Sequence, residues 1–304
     1  MVHVAVIILN YNGYSDTIEC LYSVKAQIGV VVSPLVVDNA SSDDSVKNIR
    51  EAHPDVEILV TGHNLGYAGG NNVGIQHVLR QGCDYVFIIN NDTTLEPDCV
   101  RGLVHTCEVM PRAGIVTPAI YFYDNPEKPW FTGGVLDLDA GIVGHIQTDW
   151  RQQKEAEAVP TSWANGCAML LPAAVLESLG GFDERFFCYW EDTDLSLRAR
   201  EAGYECYIST QAVLYHKVGM TISRKSHMLD YYMTRNHLLF VSKHRQGAER
   251  RRGLWMPVRQ SFQRWKHLLR HCPGEFNPHY EKAVMVGILD YHLRRFGPCR
   301  RAGF

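Results

Sequence analysis

Three carboxylates in one short stretch are the strongest candidates for chemistry in this sequence. Glu191, Asp192 and Asp194 follow an aromatic pair, Tyr189 and Trp190. Apolar residues then recur at helical spacing, so the acids fall where a loop runs into a helix. The positive end of a helix dipole favours an ionised carboxylate, and an ionised carboxylate can accept a proton from a substrate. The alternative interpretation is that these are ordinary acids of a first helical turn.

Two further polar positions follow apolar runs nearer the N-terminus. Tyr11 comes after the first run, and Asp38 follows the run Leu35–Val37. The Asp38 carboxylate could accept hydrogen bonds from a pyrimidine base or a ribose hydroxyl, and Tyr11 could stack on the same base. Equally, Asp38 is typical of a turn or a helix cap, and Tyr11 of an aromatic residue at the rim of a fold.

Asn90, Asn91 and Asp92 close the fourth apolar run. A carboxylate with adjacent amide oxygens suits a hard divalent cation such as Mg²⁺ or Mn²⁺, which shares its coordination shell with a diphosphate. His216, at the end of a later strand, could be a further ligand. Taken alone, Asp92 is also typical of a turn, and His216 of a structural histidine.

A glycine-rich segment, Asn64–Asn72, precedes another predicted helix. Its small residues, Gly66 and Gly69 among them, would let backbone N–H groups approach a phosphate or a sugar at the helix N-terminus. The glycine spacing matches neither the GxGxxG fingerprint nor the Walker loop. The segment therefore disfavours NAD chemistry and P-loop chemistry.

Strands and helices alternate along the first half of the chain. Continuous apolar runs predict strands that are buried on both faces of a sheet, at Val4–Leu9, Leu35–Val37, Val56–Val60 and Tyr85–Ile89. Helical patterns lie between and after them, at Ser15–Ala26, Asp43–Ala52, Asn71–Arg80 and after Pro97. This alternation predicts an α/β, Rossmann-like, mostly parallel central sheet flanked by helices. Ligands of such sheets bind beyond the carboxyl ends of the strands, where the polar clusters of the first half lie.

The second half is less regular and ends in helices. Strands are predicted at Ala164–Leu171 and within Glu205–His216, with a short helix at Pro172–Leu179 between them. From Met228 the pattern is helical, and a last helix is predicted at Glu281–Phe296. Between these lies an amphipathic stripe formed by Leu254, Val258, Phe262, Trp265 and Leu269.

Charge divides the chain unevenly. Residues 1–216 carry 12 Lys and Arg against 28 Asp and Glu, whereas residues 217–304 carry 18 against 5. A basic C-terminal third on an acidic body indicates an anionic partner, such as lipid headgroups, a diphosphate or nucleic acid. A helix that packs its apolar side on the body and keeps its basic residues in water would explain the stripe equally well.

The composition indicates a soluble globular protein of a reducing compartment. The sequence is 304 residues long, 46% hydrophobic and 21% charged, without an apolar run long enough to span a membrane. The apolar start lacks the features of a signal peptide and is expected to form the first strand. Nine scattered cysteines without a CxxC pair argue against a disulfide framework and against a zinc site. We therefore expect a cytoplasmic protein, with a possible peripheral position at the inner face of the membrane.

Taken together, the motifs resemble the family-two glycosyltransferases with the GT-A fold, and most closely their rhamnosyltransferase-like branch. The resemblance covers residues 2–243 through VIILNYNG, VVDNASSDDS, HNLGYAGGNN, FIINNDT, ANGCAMLL, GGFDERFFCYWEDTDLSLRAREAGY, His216-x-x-Gly and YYMTRNHLLF. It implies a catalytic domain at residues 1–243 and leaves residues 244–304 as a basic helical C-terminal extension. It also implies an enzyme, an inverting hexosyltransferase.

The resemblance assigns roles to individual residues. Asp192 matches the catalytic base. The residues matched to the donor site are Asn10, Tyr11, Asn12, Asp38, Gly66, Gly69, Asn72, Asn91 and Arg235, the last as a partner of the diphosphate. The residues matched to the acceptor site are Gly166, Trp190 as a platform, and Glu191. Asp92 and His216 match the ligands of Mg²⁺ or Mn²⁺. Asn90 stands where the family motif has a first aspartate, so strict metal dependence is in doubt.

The expected reaction moves a sugar from a nucleoside diphosphate to a saccharide hydroxyl in cell-surface polysaccharide assembly. A dTDP-sugar, dTDP-rhamnose, is the first choice of donor and UDP-sugars come next, while the acceptor is a saccharide or a lipid-linked saccharide. Other classes remain open: a catalytically inactive nucleotide-sugar or carbohydrate binder of the same fold, and a nucleic-acid binder. The acidic body disfavours nucleic acid as a partner. A nucleotidyltransferase is disfavoured because no basic glycine-rich loop follows the first strand.

Overall fold

The computed structural model describes residues 1–137, 142–150, 156–218, 227–271 and 277–300. The described strands are β1 (His3–Asn10), β2 (Val31–Asp38), β3 (Glu57–Val60), β4 (Tyr85–Asn90), β5 (Thr93–Leu95), β6 (Ala113–Phe122), β7 (Asn125–Phe131), β8 (Gly134–Asp137), β9 (Ile142–His145), β10 (Ala158–Thr161), β11 (Ala168–Pro172) and β12 (Glu205–His216). The described helices are α1 (Tyr14–Lys25), α2 (Ser45–Ala52), α3 (Gly66–Gln81), α4 (Cys99–Val109), α5 (Ala173–Leu179), α6 (Glu191–Glu201), α7 (Met228–His244), α8 (Gly247–His271) and α9 (Pro278–His292).

The predicted central sheet is confirmed, with one addition. Its order is β10-β12-β6-β11-β4-β1-β2-β3, with β5 on β12 and β7 on β6. Strands β1, β2, β3 and β4 pair in parallel, and β6 pairs in parallel with β12. The antiparallel strand β11 lies between β4 and β6, so both groups of strands point the same way. The sheet is therefore mixed, although six of its ten described strands share one direction.

The continuous apolar runs are buried on both faces, as predicted. Along β1, Val4, Val6 and Ile8 enter one apolar cluster, whereas Ala5 and Ile7 enter the cluster on the opposite face. Because alternate side chains of a strand point to opposite faces, only an apolar run can fill both layers. This burial fixes the register of the strands, and it brings their polar ends to one edge.

The polar strand ends do meet at that edge. β1 ends at Asn10 opposite Asp38, the last residue of β2, and β4 ends at Asn90. Helix α3 begins at Gly66, five residues before the predicted start at Asn71. The glycine-rich segment is therefore the first turn of a helix rather than a free loop. Its first N–H groups are used by side chains, because Asn64 Oδ1 accepts from Gly66 N (2.8 Å) and Asn39 Oδ1 from Leu65 N (2.9 Å).

The C-terminal extension is helical, as predicted, but the break after residue 243 does not separate two bodies. That break falls inside α7, and α9 packs along α7 so closely that a Cβ on Gly287 would lie 2.9 Å from the Tyr231 carbonyl oxygen. Tyr231 Oη also donates to Asp290 on α9 (3.0 Å). Helix α8 packs on α7 where Gly253 meets Val241. Residues 277–300 thus belong to the same packed unit as α7.

No helix of the described residues is both long and apolar enough to cross a membrane. The eight cysteines that lie in the described part of the chain are all free thiols.

Candidate active site

Asp192 lies at the predicted transition from loop to helix, in the first turn of α6. Its Oδ2 accepts the Gly166 N–H at 2.9 Å, and its Oδ1 accepts the Thr193 N–H at 2.6 Å and the Thr193 hydroxyl at 3.2 Å. Burial raises the pKa of Asp192 above its ordinary value, while these hydrogen bonds oppose the rise. No cation of the described residues forms an ion pair with this carboxylate, so its charge remains available for a proton.

Asp194, two residues further on, has a structural role. Its fully buried carboxylate forms ion pairs with Arg198 (2.8 Å), Lys243 (2.7 Å) and His244 (2.8 Å). The His244 hydrogen bond and the charges of Arg198 and Lys243 outweigh burial and lower the pKa of Asp194. These contacts attach α6 to the end of α7.

Glu191 is also in place beside Asp192, but it is buried. Its Oε2 has no hydrogen-bond partner among the described residues. Burial, reinforced by the neighbouring Asp192 charge, raises the pKa of Glu191 well above its ordinary value. Glu191 therefore holds its proton more tightly than an ordinary glutamate, and its predicted contact with the acceptor stays a prediction.

Asp92 and His216 meet, as their predicted common role requires. Asp92 Oδ1 lies 3.2 Å from His216 Nε2, and both side chains are almost fully buried. Within the described part of the chain, Asp92 Oδ1 and His216 Nδ1 make no hydrogen bond. Two cis ligands of an octahedral cation with bonds of about 2.1 Å stand roughly 3 Å apart, so this pair fits two positions around Mg²⁺ or a similar ion. No group of three or more His, Cys, Asp or Glu side chains among the described residues could hold a metal. A cation here would therefore need oxygens of a substrate or water.

One short backbone segment joins the base to this pair. Gly166 N–H donates to Asp192, and the next residue, Cys167, accepts the Asn90 N–H at 2.9 Å. Asn90 is two residues before Asp92. The two residues just before β11 therefore fix the candidate base beside the candidate metal ligands. Gly166 contacts Asp192 itself, and its predicted contact with the acceptor stays a prediction.

Asp38 lies at the predicted strand end, but its oxygens already have partners. Asn10 Nδ2 donates to Asp38 Oδ2 at 2.7 Å, as does the Ser41 hydroxyl at 2.7 Å, and Oδ1 accepts the Ser41 N–H at 2.9 Å. Asn10 is fully buried and its Oδ1 accepts the Thr17 hydroxyl at 2.8 Å. The prediction that Asn10 contacts the donor with its side chain is therefore wrong, and Asn10 instead orients Asp38.

Tyr11 and Asn12 form the rim next to Asp38. Tyr11 is 42% exposed, which leaves its ring free to stack on a base. Asn12 has a left-handed backbone (φ 54°), and its Oδ1 accepts the Ser42 N–H at 2.8 Å. This contact ties the end of β1 to the turn after β2. The predicted donor contacts of Tyr11 and Asn12 stay predictions.

The prediction that Arg235 pairs with the donor diphosphate is wrong. Arg235 is fully buried on α7, and all five N–H donors of a guanidinium are accounted for. They reach Asn236 Oδ1 (2.9 Å), Tyr231 Oη (3.4 Å) and three carbonyl oxygens, those of Gly297 (2.6 Å), Arg185 (3.2 Å) and Phe186 (2.8 Å). Arg235 therefore holds the loop that leads to Asp192.

Trp190 is not an acceptor platform. Its ring packs in an apolar cluster with Phe186, Leu239 and Phe240, and it is only 8% exposed. Its backbone is left-handed (φ 75°), which directs the side chain inward onto α7 while the chain enters α6. The Trp190 ring therefore supports the loop before Asp192 from inside and does not face a ligand.

The glycine-rich turn packs against protein groups rather than a phosphate. Gly66 has φ +73°, and a Cβ there would collide with the Phe187 carbonyl and ring, while Gly69 closely approaches Leu65. The Phe187 carbonyl accepts the Ala68 N–H at 3.1 Å. The prediction of direct donor contacts by Gly66 and Gly69 is therefore wrong, because the loop before Asp192 occupies that place.

Asn72 and Asn91 also proved to be connectors. Asn72 Nδ2 donates to the Phe182 carbonyl at 2.9 Å, and its Oδ1 accepts the Phe182 N–H at 2.9 Å. Asn91 Nδ2 donates to the Gly13 carbonyl at 3.1 Å and to Thr17 Oγ1 at 3.0 Å. The prediction that Asn72 contacts the donor is therefore wrong, because its side chain holds the loop before α6 onto α3. Asn91 holds the end of β4 onto α1.

Two site residues escaped the sequence analysis. The Tyr67 hydroxyl donates a short hydrogen bond to the Gly166 carbonyl, so it positions the peptide whose N–H holds Asp192. His145, at the end of β9, lies close enough that its positive charge would lower the pKa of Asp192. A tyrosine in the glycine-rich segment was visible in the sequence, but nothing local marked His145.

Comparison with known proteins agrees with this geometry. A sequence model described as Glycosyl transferase family 2 matches residues 5–167. The chain is 30% identical over 209 residues to an N-acetylglucosaminyl-diphospho-decaprenol L-rhamnosyltransferase of Mycobacterium tuberculosis, an alignment that covers 62% of this chain and 68% of that protein. It is 31% identical over 202 residues to a low-salt glycan biosynthesis hexosyltransferase of Haloferax volcanii, with 64% and 61% covered.

Two solved structures share the architecture. The mannosyltransferase PcManGT from Pyrobaculum calidifontis, in complex with GDP-Man and Mn²⁺, superposes with a TM-score of 0.58 at 16% identity over 96% of this chain and 87% of that chain. GalNAc-T7 with UDP, GalNAc and Mn²⁺ gives a TM-score of 0.60 at 12% identity, over 78% of this chain and 51% of that chain. At these identities the likeness shows a shared fold.

Proposed function

Because this chain belongs to glycosyl transferase family 2 and has the GT-A fold, we propose that it is an inverting hexosyltransferase with Asp192 as its general base. The sugar moves from a nucleoside diphosphate to a hydroxyl of a saccharide or a lipid-linked saccharide. L-rhamnose is the first choice of sugar, because the Mycobacterium tuberculosis relative is named for its transfer.

The observation that carries this proposal is the placement of Asp192. Its carboxylate is held by the Gly166 N–H and is free of ion pairs within the described residues, and the residue after Gly166, Cys167, accepts the Asn90 N–H. Burial raises the pKa of Asp192 and makes its carboxylate a stronger proton acceptor. Asp194 cannot take this role, because its charge is neutralised by Arg198 and Lys243 and its oxygen is also bonded to His244.

In the proposed reaction, Asp192 removes the proton from the acceptor hydroxyl as that oxygen bonds to the anomeric carbon. The bond from that carbon to the diphosphate breaks on the opposite face, and its electron pair leaves with the nucleoside diphosphate. General-base assistance of this kind is typically worth about 10²- to 10⁴-fold in rate. A direct displacement of this type inverts the anomeric configuration.

Asp92 and His216 would hold a divalent cation. The 3.2 Å between Asp92 Oδ1 and His216 Nε2 fits two adjacent ligand positions, and Asp92 Oδ1 has no hydrogen-bond partner among the described residues. A bound Mg²⁺ or Mn²⁺ would supply positive charge to the diphosphate leaving group. With one carboxylate and one imidazole from the protein, the site depends on the donor for its remaining ligands.

The nucleoside end of the donor is placed at Tyr11 and Asp38. The exposed Tyr11 ring offers a stacking surface beside the Asp38 carboxylate, which the Asn10 and Ser41 hydrogen bonds hold in one orientation. A carboxylate at a base edge pairs with an N–H, such as that of thymine or uracil. This supports a dTDP-sugar first and a UDP-sugar second.

The partners on the acceptor side include a membrane surface. The Mycobacterium tuberculosis relative is named for a diphospho-decaprenol acceptor, and helix α8 here exposes Trp255 with Arg251 and Arg252. Basic residues that flank an exposed aromatic ring suit an anionic lipid surface. We therefore place the protein at the inner face of a membrane, as a peripheral protein.

Replacement of Asp192 by Asn tests the proposal. Because Asn cannot take a proton, transfer from donor to acceptor should fall by at least about 100-fold. The dissociation constants of dTDP-, UDP- and GDP-sugars with Mn²⁺, measured by calorimetry, should stay within twofold of those of the wild-type protein. The matched control is Asp98→Asn, a half-exposed carboxylate at the N-cap of α4 that pairs with Arg101.

Transfer at the wild-type rate in Asp192→Asn would remove Asp192 as the base. A wild-type protein that binds the donor but transfers to no acceptor would instead be a catalytically inactive nucleotide-sugar binder of the same fold.

A further inference from the structure

A group of aromatic rings around Trp130, called here the aromatic edge, lies between the candidate metal pair and His145. The Trp130 ring, in β7, lies with its centroid 4.6 Å from that of His216 and 5.1 Å from that of His145. His216 belongs to the candidate metal pair, and His145 is the last residue of β9. Trp130 therefore bridges the metal pair and a histidine on the neighbouring hairpin.

His145 presents its ring to the open side of the site. Its side chain is exposed, and its ring contacts those of Phe131 (5.0 Å) and Trp163 (5.6 Å) as well as Trp130. Trp163 lies three residues before Gly166, whose N–H holds Asp192. His145 is thus anchored by packing near the segment that holds the candidate base.

The hydrogen bonding of His145 leaves one ring nitrogen for a ligand. Its Nδ1 lies 3.4 Å from the Trp130 carbonyl oxygen, which can only accept, so Nδ1 carries the proton. Burial lowers the pKa of His145 and favours the neutral ring. In that tautomer Nε2 is an acceptor, and no described residue donates to it.

The position of this edge relative to the nucleotide end decides which substrate it meets. Tyr11 and Asp38 follow β1 and β2, on one side of β4 in the sheet, whereas β6 and its partner β7 lie on the other side. Asp92 follows β4, and His216 ends β12, the neighbour of β6 on the side away from β4, so the candidate metal pair reaches from the nucleotide side to the strands of the aromatic edge. A donor that runs from Tyr11 to Asp92 would end near the metal pair, and the aromatic edge would lie beyond its sugar.

We propose that Trp130 and His145 form the subsite for the acceptor sugar, the Trp130 ring packing on the apolar C–H face of a neutral pyranose and His145 Nε2 accepting a hydrogen bond from one of its hydroxyls. This subsite rests on the proposed function of Asp192, because the acceptor hydroxyl must reach that carboxylate. It takes the place of Trp190, whose ring is buried. It also selects for an uncharged sugar ring, since the edge offers an aromatic ring and a neutral imidazole.

Two variants test the subsite. Trp130→Leu keeps apolar volume against His216 but removes the aromatic ring, and His145→Phe keeps the ring contacts but removes the acceptor nitrogen. Each should raise the KM for the acceptor about tenfold, as truncation of a central binding residue does. Donor affinity with Mn²⁺, and the slow transfer of the sugar to water, should stay within twofold. Tyr22→Leu, an exposed aromatic residue on α1, is the matched control.

Three outcomes separate the two proposals. An unchanged acceptor KM in both folded variants would overturn the subsite while the transferase proposal stands. A weaker donor affinity together with a higher acceptor KM would also overturn the subsite, because the two effects together would show that the aromatic edge supports the metal pair. A wild-type protein that hydrolyses no donor and transfers to no acceptor would instead refute the proposed function itself.

Discussion

Two adjacent acids of the site differ in charge because their surroundings differ. Asp192 accepts hydrogen bonds from Gly166 and Thr193, which favour its ionised form, while Glu191 Oε2 has no such donor in the described structure. Burial raises the pKa of both, and that of Glu191 rises well above its ordinary value. The Gly166 N–H, two residues before β11, thus helps to select which of the two acids is the base.

This difference predicts a pH-dependent effect of Glu191→Gln on stability. The folded protein keeps Glu191 protonated above pH 4.5, its ordinary pKa, whereas the unfolded chain ionises it there. The wild-type protein should therefore lose about 1.4 kcal/mol of unfolding free energy per pH unit from this group, between the unfolded pKa and the raised folded pKa. The glutamine variant lacks this loss, so its stability advantage in urea denaturation should grow as the pH rises from 4.5 toward the raised folded pKa of Glu191.

Glu177→Gln, at an exposed position on α5, is the control and should show no such trend. A difference between Glu191→Gln and the wild-type protein that is constant with pH would contradict a neutral Glu191.

The strands were predictable because one physical pattern dominates them. Apolar runs such as Val4–Leu9 can be buried only between two layers, and the polar residues that end them then meet at one edge. What could not be predicted is which of those polar residues face a ligand. Asn10, Asn72 and Arg235 have the same side chains whether they bind a substrate or a carbonyl, and their partners lie 28 to 110 residues away.

Strand β11 and the hairpin of β8 and β9 show the same limit. The antiparallel insertion of β11 follows from long-range pairing with β4, which a local pattern does not contain. His145 reaches the site only because β8 and β9 pair and turn it toward Trp130. No candidate site residue was predicted between Asp92 and Gly166.

Helix α7 supports the loop before Asp192 through Arg235. Arg235 therefore has a structural role and is not a donor ligand. Arg235→Lys keeps the charge but cannot span the carbonyls of Arg185, Phe186 and Gly297. Unsatisfied buried carbonyls should lower the unfolding free energy by about 2–4 kcal/mol. Donor affinity of the folded variant, measured at low temperature, should change less than twofold.

Arg112→Lys, at an exposed position, provides the control for the stability measurement. A stable Arg235→Lys protein with weakened donor binding would restore the diphosphate role and contradict the supporting one.

The C-terminal helices carry the basic residues of the last third of the chain, and α8 presents some of them at its surface. Helix α8 packs through Gly253 on α7, and Arg264 stacks on Tyr280 of α9 (4.1 Å), so one side of it is covered. Trp255 is 67% exposed and shares a helical face with Arg251 and Arg252. The side chains of Phe262, Trp265 and Leu269 lie outside the described residues, so the amphipathic stripe is tested only at Leu254, which is half-buried, and Val258, which is exposed.

Binding of this face to anionic lipid is the expected result of that exposure. Each basic residue near such a surface contributes about 1 kcal/mol, so the double variant Arg251→Glu with Arg252→Glu should reduce binding to phosphatidylglycerol vesicles by at least about tenfold. Co-sedimentation measures this, with Arg50→Glu and Arg112→Glu, two exposed positions of the catalytic body, as the matched double control. Transfer to a short soluble acceptor should be unaffected, because α8 does not contribute to the Asp192 site. Equal sedimentation of the wild-type protein with phosphatidylcholine vesicles would contradict an electrostatic membrane face, since the basic residues would then have no anionic partner.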